Sequence, residues 1–412
     1  RARRTKGFVI VFAFEQASNL LQSRLAWRVL YPNGIPFFQG HFPRGNVKRI
    51  AIGFAFCATV RIKAFRCAPA LYDTDIGGQE TVKTIGHFFG RNGDNVAVEM
   101  ADLSCGMNAC VRAVVRTALH HGFEVYGIRR GWNGLITGDI VKLDEKSVSH
   151  TINRGGTILY TARSKEFMTE EGQRKAASTC KFLGLDGIVA IGGDGTFRGA
   201  QALSRHGINV VGIPATIDND ISCTNYCIGF DTAANTAIEC IDKLRDTMQS
   251  HERCSVVEVM GRNAGYLAMY VGLAVGATAV LVPEEEIDFE RDVIEKIRQA
   301  RFNGFTHYMI VVAEGAGSAN DIAAKIKEAI DLDPRVTVLG HIQRGGVPTG
   351  RDRVNATKMG FLAVEKLLEG KNNRIICTDS GSFTDVDIDE GLAQNRRIQK
   401  MEVEVLAAMT GI

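Results

Sequence analysis

The chain has 412 residues, 45% of them hydrophobic and 23% charged, with a formal net charge of +3. That length allows one large two-lobed enzyme or two to three domains, and the balance supports a sizeable buried core. So small a net charge gives no reason to expect nucleic acid or an anionic membrane as partner, and no run has the apolar length of a membrane span.

At 1–14, "RARRTKGFVIVFAF" sets basic residues ahead of a short apolar run. The run meets Glu15 and Gln16 with no small-x-small cleavage site, so a strand or surface segment is expected rather than a secretory leader. Residues 1–100 hold many Phe, Arg and Gly residues and only weak strand candidates, "KRIAIGFAF" (48–56) and "VAVEM" (96–100). They read as an atypical N-terminal region of no assignable fold, set apart from residues 101–412. The ten cysteines are scattered without C-x-x-C spacing, and "CTNYC" (223–227) has no second cysteine or histidine pair. Structural thiols in a reducing, cytoplasmic setting are expected rather than a disulfide framework or a zinc site.

From residue 107 a regular alternation begins. "MNACVRAVVRTALHHG" (107–122) has helical spacing, with Val111, Val114, Val115, Ala118 and Leu119 on one face and Gly122 as a stop. "FEVYGI" (123–128) reads as a strand, 169–185 as a helix, "DGIVAI" (186–191) as a strand, and a helix is predicted from Thr196. "INVVGI" (208–213) is the next strand, and 230–251 is strongly helical. The apolar segments "CSVVEVM", "GYLAMYVGLAVG" and "ATAVLVP" follow, then a helix near 290–302 and the segments "HYMIVVAEG" and "RVTVLGH". Apolar strands alternating with helices predict an α/β fold with parallel sheets covered on both faces, which bind ligands at the C-terminal strand ends.

The polar motifs fall at those ends. "IVAIGGDGT" puts Gly192 and Gly193 between a strand and a helix, where bare backbone and free amides suit a phosphate. Asp194 in that turn would repel a phosphate unless a divalent cation such as Mg²⁺ lies between them. A plain capped turn explains the same residues about equally often. "PATIDND" then sets Asp218 and Asp220 after the next strand, where one carboxylate can take a proton from a hydroxyl while the other orients a substrate. An Asx-rich turn is the simpler alternative. Arg262, Arg335, His341 and Arg344 supply cations around further strand ends, and guanidinium groups grip phosphate bidentately. Acids and cations so placed suit phosphoryl transfer.

"GGDGT", "TIDND", "IGFDTA", "SHER", "VMGRNAG", "VAEG" and "GHIQRGG" occur in an order that resembles the compact, bacterial-size phosphofructokinase family over about residues 106–412. The resemblance implies two Rossmann-like lobes, about 101–229 plus 352–390 for nucleotide and about 230–351 plus the C-terminal tail for sugar phosphate. It implies ATP-dependent phosphorylation of fructose 6-phosphate at its 1-hydroxyl, with Mg²⁺. By position, Asp194 would bind the metal, and Gly193, Gly195, Thr196, Arg163 and Ser164 the nucleotide phosphates. Asp218 would be the general base, with Thr216 and Asp220 about the sugar and Arg262 beside the transferring group. Met260, Gly261, Glu314, His341 and Arg344 would complete the sugar-phosphate pocket. Arg253 and Arg335 would enter from a neighbouring subunit, which implies a homo-oligomer, commonly a tetramer. Gly195 and Ala215 are similar to the ATP-using pattern, since pyrophosphate-using relatives typically carry Asp and Lys there.

Two stretches depart from the family. "ADLSCGMN" (101–108) keeps only Gly106, Met107 and Asn108 of the first glycine turn, and Asp102 and Leu103 are expected to weaken ATP. "KRIAI" resembles the opening strand, so about 53–105 is expected to be an insertion or misjoined segment. Arg112, Arg116, Arg245 and Gly276 match effector-binding positions, but Thr278, Asn303 and Phe305 replace an acid and two basic residues. Two other readings stand beside the kinase. A NAD or diacylglycerol kinase would share "GGDGT" but not "TIDND" and "GHIQRGG". A catalytically impaired regulatory subunit would bind sugar phosphate without turnover.

Overall fold

The computed structural model describes residues 9–13, 26–30, 36–41, 95–100 and 104–410. The chain divides into two units, 1–79 and 80–412. In the first, β1 (Val9–Ala13), β2 (Ala26–Leu30) and β3 (Pro36–His41) form an antiparallel three-stranded sheet. The strand expectation at the N-terminal apolar run holds, while "KRIAI" lies outside the described residues.

The second unit holds two sheets. One comprises β4 (Asn95–Met100), β5 (Glu124–Ile128), β6 (Ile140–Leu143), β7 (Leu185–Gly192) and β8 (Val210–Pro214). The other comprises β9 (Cys254–Val259), β10 (Ala279–Leu281), β11 (Tyr308–Ala313) and β12 (Arg335–Val338). The chain then returns to the first sheet with β13 (Arg374–Asp379) and β14 (Ser382–Asp387). The seven-stranded order is β14-β13-β8-β7-β4-β5-β6, antiparallel only in the outer pairs, and the four-stranded order is β10-β11-β9-β12, all parallel. Every residue of β8 and β11 is buried, as a strand covered on both faces requires. The two-lobed α/β expectation is met.

One expectation is corrected here. Asn95–Met100 is not part of a separate N-terminal region or an insertion. It is an interior strand of the large sheet, next to the central β7 and parallel both to it and to β5. From Ser104 the chain is built into the core as well: Ser104 Oγ donates to Ile228 O at 3.0 Å, and Ser104, Cys105 and Met107 are buried. Asp102 and Leu103 lie outside the described residues.

Helices close both faces. Met107–His120 lays Val111, Val114, Val115 and Ala118 into the core and packs along Gly350–Leu368. Glu170–Phe182 is capped by Thr169, whose hydroxyl accepts from Gly172 N at 3.1 Å. The helix after the glycine turn starts at Asp194, two residues before the predicted Thr196. The segment near 290–302 is a π-turn, Glu290–Ile294, running into a helix, Glu295–Phe302.

Asp352, fully buried at the start of Gly350–Leu368, ties the lobes together. It accepts from Gly229 N at 2.7 Å, Thr232 N at 2.9 Å, the Thr232 hydroxyl and the Tyr226 hydroxyl. Thr232 opens the helix Phe230–Ser250, which packs on the second lobe. Burial pushes the Asp352 carboxyl above its ordinary range, while these donors pull it back down. An unmade buried hydrogen bond costs about 1–3 kcal/mol, so Asp352→Ala is expected to cost at least about 3 kcal/mol. A urea unfolding midpoint unchanged from the parent would refute this role.

Candidate active site

Parallel pairing brings the two acidic motifs side by side. Gly192 of β7 pairs with Pro214 of β8, and Ala215 N donates to Gly192 O at 2.9 Å. The "GGDGT" and "PATIDND" turns thus leave the same edge on neighbouring strands, roughly 4.8 Å apart. A Cβ on Gly192 would lie 2.3 Å from Thr196 Oγ1, so only glycine lets the chain turn this tightly into its helix. A Cβ on Gly195, by contrast, would meet nothing within 4 Å. Gly195 faces a cavity of about 700 Å³ lined also by Gly193, Thr196, Arg163, Ser164, Lys165 and Arg198. Trp132 and Phe167 form its apolar side, stacked at 4.9 Å with planes 13° apart. All the predicted phosphate-binding residues except Asp194 line this one cavity. Asp194 is the first residue of the helix at its mouth, exposed, and ion-paired to Arg198 Nε at 2.8 Å.

In "PATIDND", Thr216 is buried and its hydroxyl accepts from Asp218 N at 3.2 Å. Asn219 is left-handed at φ 52° and buried, and its Oδ1 accepts from Cys227 N at 2.8 Å. That inward asparagine turns Asp218 and Asp220 away from it, the first half-buried and the second exposed. Ile217 packs in one cluster with Val259, Met260 and Ala264, so this turn rests on the second lobe.

The second lobe contributes the ends of β9, β11 and β12. Glu314 N donates to Val259 O at 2.9 Å, and Leu339 N to Glu258 O at 3.0 Å, which gathers Met260–Arg262, Glu314 and the segment Gly340–Arg344 at one edge. Gly261 holds φ 132°, and a Cβ there would lie 2.3 Å from Ala264 O. Arg262, Glu314 and His341 are exposed, and Arg344 is half-buried. Cys105 Sγ lies 3.0 Å from Gly345 O, which seats this segment on the first lobe.

Two groups of predicted residues stand elsewhere. Arg253 precedes β9 and Arg335 opens β12, pairing across from Ser255. Both are at the N-terminal edge of the four-stranded sheet, roughly 17 Å (Arg335) and about 23 Å (Arg253) along the strands from Met260. They do not join this chain's own site. Arg112 and Arg116 line a separate cavity of about 600 Å³ with Lys358 and Phe361. Arg245 donates to Val275 O beside Gly276 in the other lobe, and it is not among the residues lining that cavity.

The structure also adds residues that the motifs did not single out. Gln343, fully buried, accepts from Met260 N at 2.9 Å. Asn108 donates to Arg154 O and Gly155 O at 3.0 and 3.1 Å and accepts from Ile158 N at 2.8 Å, which fixes the loop leading to Arg163. Arg396 donates to Thr224 O at 2.9 Å while its guanidinium lies 4.7 Å from the Tyr266 ring centre, clasping the acidic turn from behind.

Comparison with known proteins agrees with this geometry. The phosphofructokinase family profile matches residues 96–367, beginning within β4. An ATP-dependent 6-phosphofructokinase of Clostridium botulinum is 53% identical over 291 residues, covering 71% of this chain and 91% of that protein. ATP-dependent 6-phosphofructokinase 1 of Clostridium perfringens is 53% identical over 304 residues, covering 74% and 95%. Among solved structures, phosphofructokinase from Saccharomyces cerevisiae superposes with a TM-score of 0.68 at 32% identity, over 77% of this chain and 47% of that one. The chain therefore belongs to the phosphofructokinase family of phosphotransferases.

Proposed function

We infer that the chain transfers the γ-phosphoryl group of ATP to the 1-hydroxyl of fructose 6-phosphate. The observation that carries this reading is the adjacency of two turns: a cation-lined glycine cavity opens beside a half-buried acid on the next parallel strand. Asp218 takes the proton of the attacking hydroxyl, and Thr216 steadies that turn through its hydrogen bond to Asp218 N. Asp220 orients the sugar. Arg262 meets the charge on the transferring group, and Met260, Gly261, Glu314, His341 and Arg344 receive the sugar phosphate. Arg163, Ser164, Gly193, Gly195 and Thr196 hold the nucleotide phosphates.

A single exposed carboxylate at the start of this helix suits Mg²⁺, which takes one or two protein ligands and fills its shell from phosphates and water. Asp194 would hold it, exchanging its ion pair with Arg198. When bound, the ion neutralises charge on the transferring phosphoryl group. ATP rather than pyrophosphate is supported by Ala215, which is fully buried, so that a lysine there would need a buried charge. The test is ADP release by the full chain with fructose 6-phosphate, ATP and Mg²⁺. Binding of the sugar phosphate without release would favour the regulatory reading instead.

Among the described residues no helix is long and apolar enough to cross a membrane, and a cytoplasmic homotetramer is proposed. The positions of Arg253 and Arg335, a strand length from this chain's site, support sites shared between subunits. Asp218→Ala and Arg335→Ala should each be inactive alone, and their co-expression should restore turnover in mixed oligomers. Equal inactivity of the mixture, with hybrids confirmed by mass, would remove the shared site.

The effector residues yield one further expectation. The Thr278 hydroxyl accepts from Met309 N at 3.1 Å, so it ties β10 to β11 where an acid would hold an effector's metal. ADP and phosphoenolpyruvate are expected to shift half-saturation by fructose 6-phosphate only slightly. A strong response to both in steady-state kinetics would contradict this.

A further inference from the structure

The segment behind Asp220 carries a pair of thiols outside the substrate pockets. Cys223 is half-buried there, Cys377 is buried in β13, and their sulfurs are 3.5 Å apart. The surroundings fix this approach. Thr224 Oγ1 accepts from Thr378 N at 2.9 Å, and Asn225 N donates to Thr378 O at 2.9 Å. On the other side the helix Ile388–Ala393 closes over the pair, where a Cβ on Gly391 would lie 3.1 Å from Cys223 Sγ. The two sulfurs are thus held together by residues next to each of them in sequence.

The two thiols differ in chemistry. The Cys377 S–H donates to Cys223 Sγ, which holds Cys223 below the ordinary thiol range although burial opposes it. The same contact, with burial, pushes Cys377 up. Cys223 is also the more accessible of the two. A half-buried thiol held below its ordinary range, 3.5 Å from a second thiol, is the arrangement of a redox-sensing pair. Elsewhere burial pushes Cys180 and Cys254 up to about 12, as expected of inert core thiols.

We propose that Cys223 and Cys377 are an oxidation site, converted by a peroxide to a reversible disulfide that braces the segment behind the acidic turn. The Cys223 thiolate attacks the peroxide: a sulfur–oxygen bond forms, the oxygen–oxygen bond breaks, and the leaving hydroxide takes up a proton to become water. The Cys377 thiol then attacks the sulfenic sulfur. A sulfur–sulfur bond forms, the sulfur–oxygen bond breaks, and the Cys377 proton leaves with that hydroxyl as a second water. The thiols give up two electrons and the peroxide accepts them. The sulfurs need to close by only about 1.5 Å to reach bonding distance.

The bond would act on the acidic turn through connections already present. Cys227 N donates to Asn219 Oδ1, and Arg396 Nη1 reaches both Thr224 O at 2.9 Å and Asn219 O at 3.5 Å. Fixing Cys223 therefore restrains the backbone between Asp218 and Asp220. This consequence rests on the proposed function, whereas the site itself does not.

The test treats the reduced full chain with graded hydrogen peroxide, blocks remaining thiols by alkylation, and maps peptides by mass without reductant. A Cys223–Cys377 linked peptide lighter by two hydrogens is expected, lost on treatment with dithiothreitol. It should be absent from Cys223→Ser and Cys377→Ser, both of which should keep the parent's melting midpoint. Cys223 remaining alkylatable at peroxide levels that oxidise Cys240 would overturn the proposal, as would a disulfide to Cys227. ADP release by the oxidised parent should fall several-fold and recover with dithiothreitol. An unchanged rate with the linked peptide present would remove the bracing role and leave the site. A reduced chain without turnover would remove the kinase reading and leave the mass result standing.

Discussion

Asp218→Asn is expected to slow ADP release by about 10²–10⁴-fold while leaving the binding of fructose 6-phosphate and ATP nearly unchanged. Asparagine keeps the size and the hydrogen-bonding reach of the side chain, but its amide cannot accept the proton that the attacking hydroxyl must lose. The turn itself should survive, because its geometry is held by groups other than the Asp218 carboxylate. Asn219 accepts from Cys227 N, Thr216 accepts from Asp218 N, and Ile217 is packed against Met260. The substitution therefore separates chemistry from architecture: kcat falls, KM for the sugar moves little, and the melting midpoint stays with the parent. A rate within about tenfold of the parent would move the base elsewhere, and the exposed Asp220 would be the next carboxylate to replace.

How far the sequence alone could reach follows from which interactions are local. β7 and β8 were legible because strands covered on both faces are continuous apolar runs, and the turn after each stood out by its glycines or acids. The residues around the cavity beside Gly195 were legible through ordered motifs, and Arg163, Ser164, Gly193, Gly195 and Thr196 do converge on it. β4 was legible only as a weak strand candidate, because the run is short and carries Glu99, and it was assigned to the wrong region. Its place comes from pairing with β5 and with β7, the latter some 90 residues onward, which no window of sequence contains. Asp352 sits in "GRDR" and reads as part of a solvated charge run, yet it is fully buried because Tyr226, Gly229 and Thr232 converge on it from another segment. Trp132 lies between Gly131 and Asn133 in a short helix with no motif around it. Only folding brings it against Phe167 as a wall of the cavity. Gln343 was inside a quoted motif, but nothing local distinguishes the buried amide from the exposed histidine two residues before it.

Gly195→Asp should lower kcat/KM for ATP by at least about 30-fold without harming the fold, and the two effects can be argued separately. The fold should tolerate it because a Cβ at this position meets nothing within 4 Å. Gly195 is also the second residue of a 12-residue helix, where an acidic side chain favours the helix N-terminus by about 0.3–1 kcal/mol. Replacing glycine adds a further gain, since the unfolded chain loses freedom. The melting midpoint is therefore expected to hold or rise. ATP should suffer because the new carboxylate projects into the cavity lined by Gly193, Thr196 and Arg163, where the nucleotide phosphates are proposed to lie. Two like charges about 4 Å apart at an effective dielectric near 20 repel by about 4 kcal/mol, and even half of that lowers kcat/KM for ATP by roughly 30-fold. Gly195→Ala separates charge from volume, since a methyl group enters the same space without repelling phosphate. Parallel initial-rate measurements on the two variants decide the matter. A carboxylate that costs no more than the methyl group would mean that the phosphates do not approach Gly195, and the cavity would have to be assigned to some other part of the nucleotide.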